Sequence, residues 1–535
     1  MKIACGLVLL ATLAAYSNHF RNDFHFDDSH TIQNNAFIRR VGNIPRFFTD
    51  AATFSSKPAN QSYRPLVTTT LTVDYWAGGG LNPLAFHVTS FGLFLLQCAL
   101  MLVLFRRVMD LAHPDGANRW LALLAVAWYA LHPVNAETVN YIIARSEILS
   151  TLGVVAALVL FSGDGAARRY HLYLVPAFLG ILSRESGAMF APLLLVYAAL
   201  FEPKRPLFRA VLPALLVCAA TGAFAVWMAP AYSPGGASRW HYLLTQPFVI
   251  VHYAISLLLP LRLSADTQWP LVETPLSGRV LAGVVFIAAA LWAARAAARR
   301  AETRPIAFGI LWFFIALLPT SGLVPLSEPM NDHRMYFPFV GLILAVVWAA
   351  GLALEKYEVR SLKYERSYFV PRTSYLRPVA IAAAVAMILA MAYGTRQRNI
   401  VWRTEESLWL DATIKSPDNG RGLMNYGVIQ MEHGRLAVAD DYFTRALRYK
   451  PDYAYLHVNV AILKVAQGRP AEAERHFREA LQDDPRNPIS YTHYARWLAS
   501  IGRTVEARLY AEAAVKMSPA DADARALLDR LTTPR

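Results

Sequence analysis

Charged residues are scarce in this chain, at 17% of 535, while 55% of residues are hydrophobic. Soluble domains carry about a quarter charged residues, so the deficit argues against an ordinary soluble globule and points to a bilayer. Cysteine is scarcer still. Cys5, Cys98 and Cys218 each lie inside an apolar stretch, offering neither a disulfide framework nor a metal-ligand spacing. A nucleophilic-triad motif, a zinc motif and a Walker-type loop are also missing, which argues against hydrolase and ATP-driven readings. Acidic residues are outnumbered, leaving a net charge of +14. That excess falls in short runs between apolar segments, so it reads as an orientation signal and no nucleic-acid partner is expected.

What is present is long apolar sequence. Runs able to cross about 30 Å of hydrocarbon are read at 2–18, 84–105, 119–133, 146–162, 170–183, 187–201, 208–229, 280–296, 305–320, 335–354 and 377–394, about eleven spans. The basic clusters are Lys2, Arg106 with Arg107, Arg168 with Arg169, Lys204 with Arg205 and Arg209, residues 295–300, and the stretch 356–377. All fall on one side if the N-terminus is cytoplasmic, which puts the C-terminus outside, in the periplasm or an equivalent lumen. Residues 240–260 are apolar enough to span, yet the charge rule puts both ends outside; the stretch reads as interfacial or re-entrant. The first run is taken as a retained helix, although Lys2 and the small residues at Ala14 and Ala15 also suit a cleaved signal peptide.

From Gly420 a different pattern begins. Gly434, Gly468 and Gly502 are 34 residues apart, as are Ala439, Ala473 and Ala507, then Ala446, Ala480 and Ala514, then Pro451, Pro485 and Pro519. A 34-residue period with small residues at the helix crossing and proline after the second helix is the tetratricopeptide signature. One period earlier stand Trp409, Ala412 and Pro417, a half repeat bridging to the last span. The expected fold is therefore all-α, a polytopic membrane helix bundle followed by an α-solenoid. Its expected parts are a membrane domain at 1–400 with an external loop at 20–83, a linker and half repeat at 401–419, and three repeats plus a C-terminal helix at 420–535.

Polar residues collect on the outer connections. The first reads His25-Phe26-Asp27-Asp28-Ser29-His30 and runs on to Asn34 and Asn35. Two adjacent carboxylates repel, so one should titrate high, which suits a general base; a solvated turn or helix cap is the plainer reading. The pair also admits a divalent cation through oxygen ligands; no other cofactor is expected. Further connections carry Tyr63-Arg64-Pro65-Leu66, Leu81-Asn82-Pro83 through His87, His132-Pro133-Val134-Asn135-Ala136-Glu137, Arg145-Ser146-Glu147 and Ser183-Arg184-Glu185. Tyr141 is expected to share one helical face with Glu137 and Asn140, and another with Arg145. Ionisable groups at such depth are expensive and often functional, though Arg145 with Glu147 and Arg184 with Glu185 also read as structural pairs. The tenth connection, Asn331-Asp332-His333-Arg334-Met335-Tyr336, offers an arginine fork for a phosphate; interfacial snorkelling is the alternative.

In this order these segments resemble the transmembrane-and-tetratricopeptide O-mannosyltransferases over nearly the whole chain. Arg184-Glu185 looks like the family's Lys-Glu pair with arginine for lysine, and Asn331 through Pro338 looks like its Glu-Arg-x-Leu-Tyr-x-Pro segment. The array is shorter than in animal members. The resemblance implies a GT-C fold, a polyprenyl-phosphate sugar donor and a carboxylate base on the first external loop. It makes Asp27 the base with Asp28 as partner, and Arg334, His333 and Arg145 the candidates at the donor phosphate. Arg64, His87, His132, Glu137, Glu147, Arg184 and Glu185 are its supporting polar groups. Gly/Ala-rich closing spans and the basic bias suit a bacterial inner-membrane member with an undecaprenyl carrier. No motif names the sugar or the acceptor.

The expected function is an inverting glycosyltransferase acting on a hydroxyl of an exported protein. Transfer to lipid or polysaccharide, and a non-enzymatic anchor whose repeats recruit envelope partners, are the alternatives. A transporter would want midplane charges and inverted repeats, and neither is visible. Counted from the period, Met424, Val428, Val458, Ile462, Thr492 and Arg496 line the solenoid groove, an apolar surface suited to a peptide of the acceptor or to docking on the membrane domain.

Overall fold

Backbone amides cannot stay unpaired in hydrocarbon, so an apolar chain of this kind must close its hydrogen bonds locally. In the computed structural model every regular element among the described residues is helical. Those residues are 1–163, 165–204, 206–230, 238–322, 325–326, 328–368, 376–519 and 521–533; Arg205 and residues 369–375 of the basic stretch lie outside them. The chain divides into two compact units, Met1–Leu263 with Trp269–Thr404, and Ser264–Gln268 with Glu405–Arg535.

In the first unit all eleven apolar runs are helical. They are α1 (Lys2–Ala15), α3 (Pro83–Ala112), α4 (Asn118–Leu131), α6 (Arg145–Phe161), α7 (Leu174–Ile181), α8 (Phe190–Phe201), α9 (Leu207–Met228), α11 (Gly278–Ala298), α12 (Arg304–Leu317), α13 (Tyr336–Tyr368) and α14 (Leu376–Val401). Between them lie α2 (Pro65–Ala77), α5 (Asn135–Asn140) and α10 (Arg239–Ser256). Seven helical segments among the described residues are long and apolar enough to cross a membrane. Helices α4, α7, α8 and α12 fall short, with 14, 8, 12 and 14 residues. Proline explains two of the stops, since Pro133 and Pro319 follow the ends of α4 and α12 and restrict the residue before them. The chain is a multi-pass membrane protein. The stretch 240–260 forms α10, which contains Pro247 and packs so closely on α11 that a Cβ added at Gly283 would collide with the Pro247 backbone.

Close helix crossings come from small residues, as expected where lipid removes the hydrophobic drive between helices. A Cβ at Gly309 in α12 would collide with the Gly341 carbonyl of α13, and one at Gly341 with the Trp312 side chain. Trp312 donates its indole N–H to the Phe337 carbonyl across this crossing at 3.1 Å. Large apolar side chains meanwhile stay exposed on α11 (Leu281, Val284, Val285, Trp292) and α14 (Val379, Ile381, Val385, Leu389), a surface that suits lipid rather than water.

The second unit is a solenoid: α15 (Glu405–Lys415), then the pairs α16 (Gly420–Glu432) with α17 (Leu436–Tyr449), α18 (Ala454–Ala466) with α19 (Pro470–Asp483), and α20 (Pro488–Ser500) with α21 (Thr504–Met517), closed by α22 (Ala522–Thr532). The periodic alanines explain the period, because Ala439, Ala446, Ala473, Ala480, Ala507 and Ala514 are all fully buried at the crossings. Gly434, Gly468 and Gly502 hold φ of 73°, 72° and 81°, the left-handed turn that ends each first helix at little steric cost only for glycine. Of the expected groove positions, Met424, Val458 and Thr492 are buried in the solenoid instead, leaving Val428, Ile462 and Arg496 nearer the surface. Asp266, part of this unit, is buried and holds Arg421 through two bonds of 2.8 and 2.6 Å.

Candidate active site

Phe26 takes a left-handed backbone conformation, φ 49°, costly for a bulky residue, and the two carboxylates that follow it point apart. Asp28 turns inward. It is fully buried, one oxygen accepting the His25 N–H at 3.1 Å and the other the Ile143 N–H at 2.9 Å. Burial pushes its carboxyl up to about 7, against the pull of those amides and with a smaller push from Asp27. Asp27 turns outward, with 55% of its side chain exposed. His30 Nε2 lies 3.1 Å from its Oδ1, and the far ring nitrogen of His30 lies 2.9 Å from Ser55 Oγ. The Asp27 N–H donates to the Tyr141 hydroxyl at 3.1 Å. Partial burial raises the Asp27 carboxyl, but the His30 bond and charge, the Tyr141 hydroxyl and the Arg64 guanidinium together hold it below its ordinary value. Burial therefore lifts Asp28, repulsion from Asp27 adding a smaller push, while Asp27 is held below its ordinary value. Asp28 is thus engaged by two amides and Asp27 by His30.

Charges from three connections gather around Asp27. Arg64 caps α2, where Pro65 starts the helix; its Nη2 lies 3.6 Å from Glu185 Oε2, and its buried Nε–H has no hydrogen-bond partner among the described residues. Arg184 sits in the break between α7 and α8, 3.1 Å from Glu147, 3.8 Å from Glu185 and 3.3 Å from Ser146 Oγ. Glu185 leaves 62% of its side chain exposed. Asp27, Arg64, Glu147, Arg184 and Glu185 thus form one cluster, joined by His30 and Tyr141. Beside it, Phe48, Tyr63, Phe178, Leu182, Ala220, Thr221 and Phe224 line a pocket of about 400 Å³. Tyr63 and Leu182 tie that apolar pocket to Arg64 and Arg184 along the chain.

A second cluster forms around α5. Glu137 Oε1 lies 2.9 Å from His333 Nδ1, which sits in the turn Asp332–Met335, and burial raises the Glu137 carboxyl against the pull of His333. Arg334, 8% exposed, donates to the Pro329 carbonyl at 3.3 Å and forms no ion pair among the described residues.

Three expected site residues stand apart. Arg145 is held in an internal ion pair. It is fully buried, 2.5 Å from Asp74, and its remaining donors go to Ser90 Oγ, Thr70 Oγ1 and the Phe86 carbonyl. The face it was to share with Tyr141 is broken, because α5 ends at Asn140 and Tyr141 is extended (φ −80°, ψ 105°). His87 is buried against His19, ring centroids 4.3 Å apart, and donates to the Asn22 carbonyl at 2.9 Å. His132 bonds the Leu257 carbonyl at 3.1 Å and accepts the Val134 N–H at 3.2 Å. Both histidines fasten segments together. Sequence reasoning missed His30 as the partner of Asp27, Ser55 as the partner of His30, and Asp74 as the partner of Arg145. His30 is signalled by its three-residue spacing; Ser55 and Asp74 carry no local signal.

Fold and site together define a multi-pass helical membrane protein with a polar cluster at its loops, and a tetratricopeptide solenoid as its second unit. Residues 464–531 match the tetratricopeptide repeat family model. The chain is similar to the protein O-mannosyl-transferase Tmtc3 of Drosophila melanogaster, 24% identical over 84% of this chain and 55% of that protein. It is likewise similar to protein O-mannosyl-transferase F38B6.6 of Caenorhabditis elegans (23%, 84% and 63%) and TMTC4 of Mus musculus (24%, 83% and 65%). The resemblance read from the loop motifs therefore holds over most of the chain, which spans 55–65% of the length of these relatives. Among solved structures, ArnT from Cupriavidus metallidurans in the apo state aligns over 79% of each chain at 15% identity, with a TM-score of 0.36 too low to carry an argument.

Proposed function

We propose that this chain is a membrane glycosyltransferase that moves a sugar from a polyprenyl-phosphate donor to a hydroxyl of an exported protein, inverting the anomeric carbon. The observation that carries the reading is Asp27: a half-exposed carboxylate held below its ordinary value by His30, Tyr141 and Arg64, with Arg184 joined to Arg64 through Glu185. The relatives' names supply the class of reaction, and the cluster has the parts that reaction needs. Asp27 takes the proton as the acceptor oxygen attacks the anomeric carbon. The bond from that carbon to the phosphate oxygen breaks, and the lipid phosphate leaves with the electron pair. Arg64 and Arg184 stabilise its charge, the unpartnered Nε–H of Arg64 supplying a donor. The pocket lined by Tyr63, Phe178 and Phe224 takes the first isoprene units of the tail. His333 is engaged by Glu137, while Arg64 acts directly on the Asp27 carboxylate and Arg184 joins Arg64 through Glu185.

The basic clusters put the N-terminus in the cytoplasm and the repeats outside, in the periplasm of a bacterial inner-membrane protein, with the solenoid holding the acceptor. The base works without a metal. Comparing the glycoproteome of a deletion strain with its parent tests the reading. Loss of a hexose from exported proteins supports it. An unchanged glycoproteome with altered lipid or polysaccharide moves the acceptor to those classes, and no change in any of them favours a scaffold.

A further inference from the structure

The middle repeat of the solenoid holds a group that its neighbours lack. His457 of α18 faces His476 and Glu479 of α19, which are three residues apart on one helical face. The two Nδ1 atoms are 3.1 Å apart; Glu479 Oε2 lies 3.2 Å from the first and 2.7 Å from the second. Both imidazoles are buried, and the Glu479 side chain is 36% exposed. His457 Nε2 lies 2.7 Å from the Pro451 carbonyl, which fixes a proton there and leaves the Nδ1 lone pair facing the other two groups. A carbonyl on the far ring nitrogen is the orientation that metal-bound histidines adopt. Further charge nearby comes from Asp483, 3.4 Å from His457 Nε2, and Arg475, 3.4 Å from His476 Nε2.

The repeat supplies its own comparison. Thirty-four residues earlier the three positions are Leu423, Tyr442 and Arg445; thirty-four later they are Tyr491, Tyr510 and Ala513. Tyr491 and Tyr510 face each other with ring centroids 6.1 Å apart, where the two histidines stand at 5.3 Å. The helix pair therefore closes without imidazole in two repeats of three, and the fold does not require the triad. Tetrahedral zinc, with bonds of about 2.0–2.1 Å, sets its ligands about 3.3 Å apart. The observed triangle is smaller by a few tenths of an ångström, a shift side-chain torsions can absorb.

We infer that His457, His476 and Glu479 form a binding site for one divalent transition-metal ion, Zn2+ by the chemistry of two imidazoles and a carboxylate. Three protein ligands leave a fourth position open, and Glu479 also lines a polar pocket of about 480 Å³. No spacing motif announces it, because His457 is distant in sequence from the other two.

The test uses the full chain in detergent, stripped with chelator and titrated with Zn2+ against a chromophoric competitor, then with Co2+ followed by visible absorption. The parent should take up one ion at this site and show the intense band of tetrahedral Co2+. His457→Gln and Glu479→Gln should each weaken Zn2+ at least about 100-fold, the upper end of what losing a mere outer-shell partner costs. The double variant His457→Tyr with His476→Tyr carries the third repeat's own pair; it should keep the helical signal and melting point of the metal-free parent and lose the ion. Equal Zn2+ binding by parent and double variant, or a folded parent that retains no ion, overturns the assignment.

Discussion

Arg145 separates a structural cation from a functional one. Its guanidinium and the Asp74 carboxylate are 0% and 3% exposed and 2.5 Å apart, and Ser90, Thr70 and Phe86 take the remaining donors. Arg145→Met strands the Asp74 charge in a site closed to water. Breaking a buried pair by removing one partner costs about 3–5 kcal/mol, a large part of what holds a protein folded. The variant should therefore lose its monodisperse gel-filtration peak at a much lower temperature than the parent when heated in detergent. Adding Asp74→Asn removes the stranded charge, so the double variant should be less damaged than Arg145→Met alone, a non-additivity of about 0.5–3 kcal/mol. Arg145→Met at parental stability, with sugar transfer lost, would put Arg145 at the substrate and refute the structural assignment.

Arg64→Ala should weaken use of the lipid-phosphate donor by about 1.5–3 kcal/mol, the value of a hydrogen bond to a charged group; Arg64→Lys should recover only part, measured as KM for the donor, since an ammonium lacks the fork. The acid limb of the rate profile should lie below the ordinary aspartate range, because His30, Tyr141 and Arg64 hold the Asp27 carboxyl down; a limb near 7 would assign the base to Asp28. Asp28 titrates at about 7, above its unfolded value, so its contribution to stability is full below about pH 4 and lost as pH rises through about 7. Asp28→Asn should flatten that slope in a thermal-stability series across pH. Gly309→Leu should disrupt the crossing of α12 on α13, since even a Cβ there meets the Gly341 carbonyl, and should lower folded yield in detergent where Gly92→Leu, with open space around it, does not.

The eleven apolar runs were legible because hydropathy and length are properties of single segments, and the solenoid because 34-residue spacing survives without knowledge of contacts. Helix ends were harder. Tyr141 and Arg145 are four apart and read as one face until α5 stops at Asn140 and turns them in different directions. The members of the Asp27 cluster were legible as motifs, since Arg64, Glu147, Arg184 and Glu185 each stand beside a helix end. Their partners were not. Whether a charge meets solvent or another charge depends on helices far apart in sequence, so Arg145 with Asp74 and Arg184 with Glu147 became distinguishable only in three dimensions. The direction of the two adjacent carboxylates was equally hidden, because it turns on the Phe26 backbone and on two amides, one of them at Ile143.

The account rests on Asp27 as the base, and the transfer rate of Asp27→Asn tests that most directly. General-base help contributes about 100- to 10,000-fold, so the variant, inserted in membranes and still binding the polyprenyl-phosphate sugar, should lose transfer by that factor, while chelator leaves the parent's rate unchanged. Turnover by Asp27→Asn within a few-fold of the parent would contradict the account, and loss of activity on chelation both in the parent and in the His457→Tyr, His476→Tyr variant would replace the metal-free base with a bound cation.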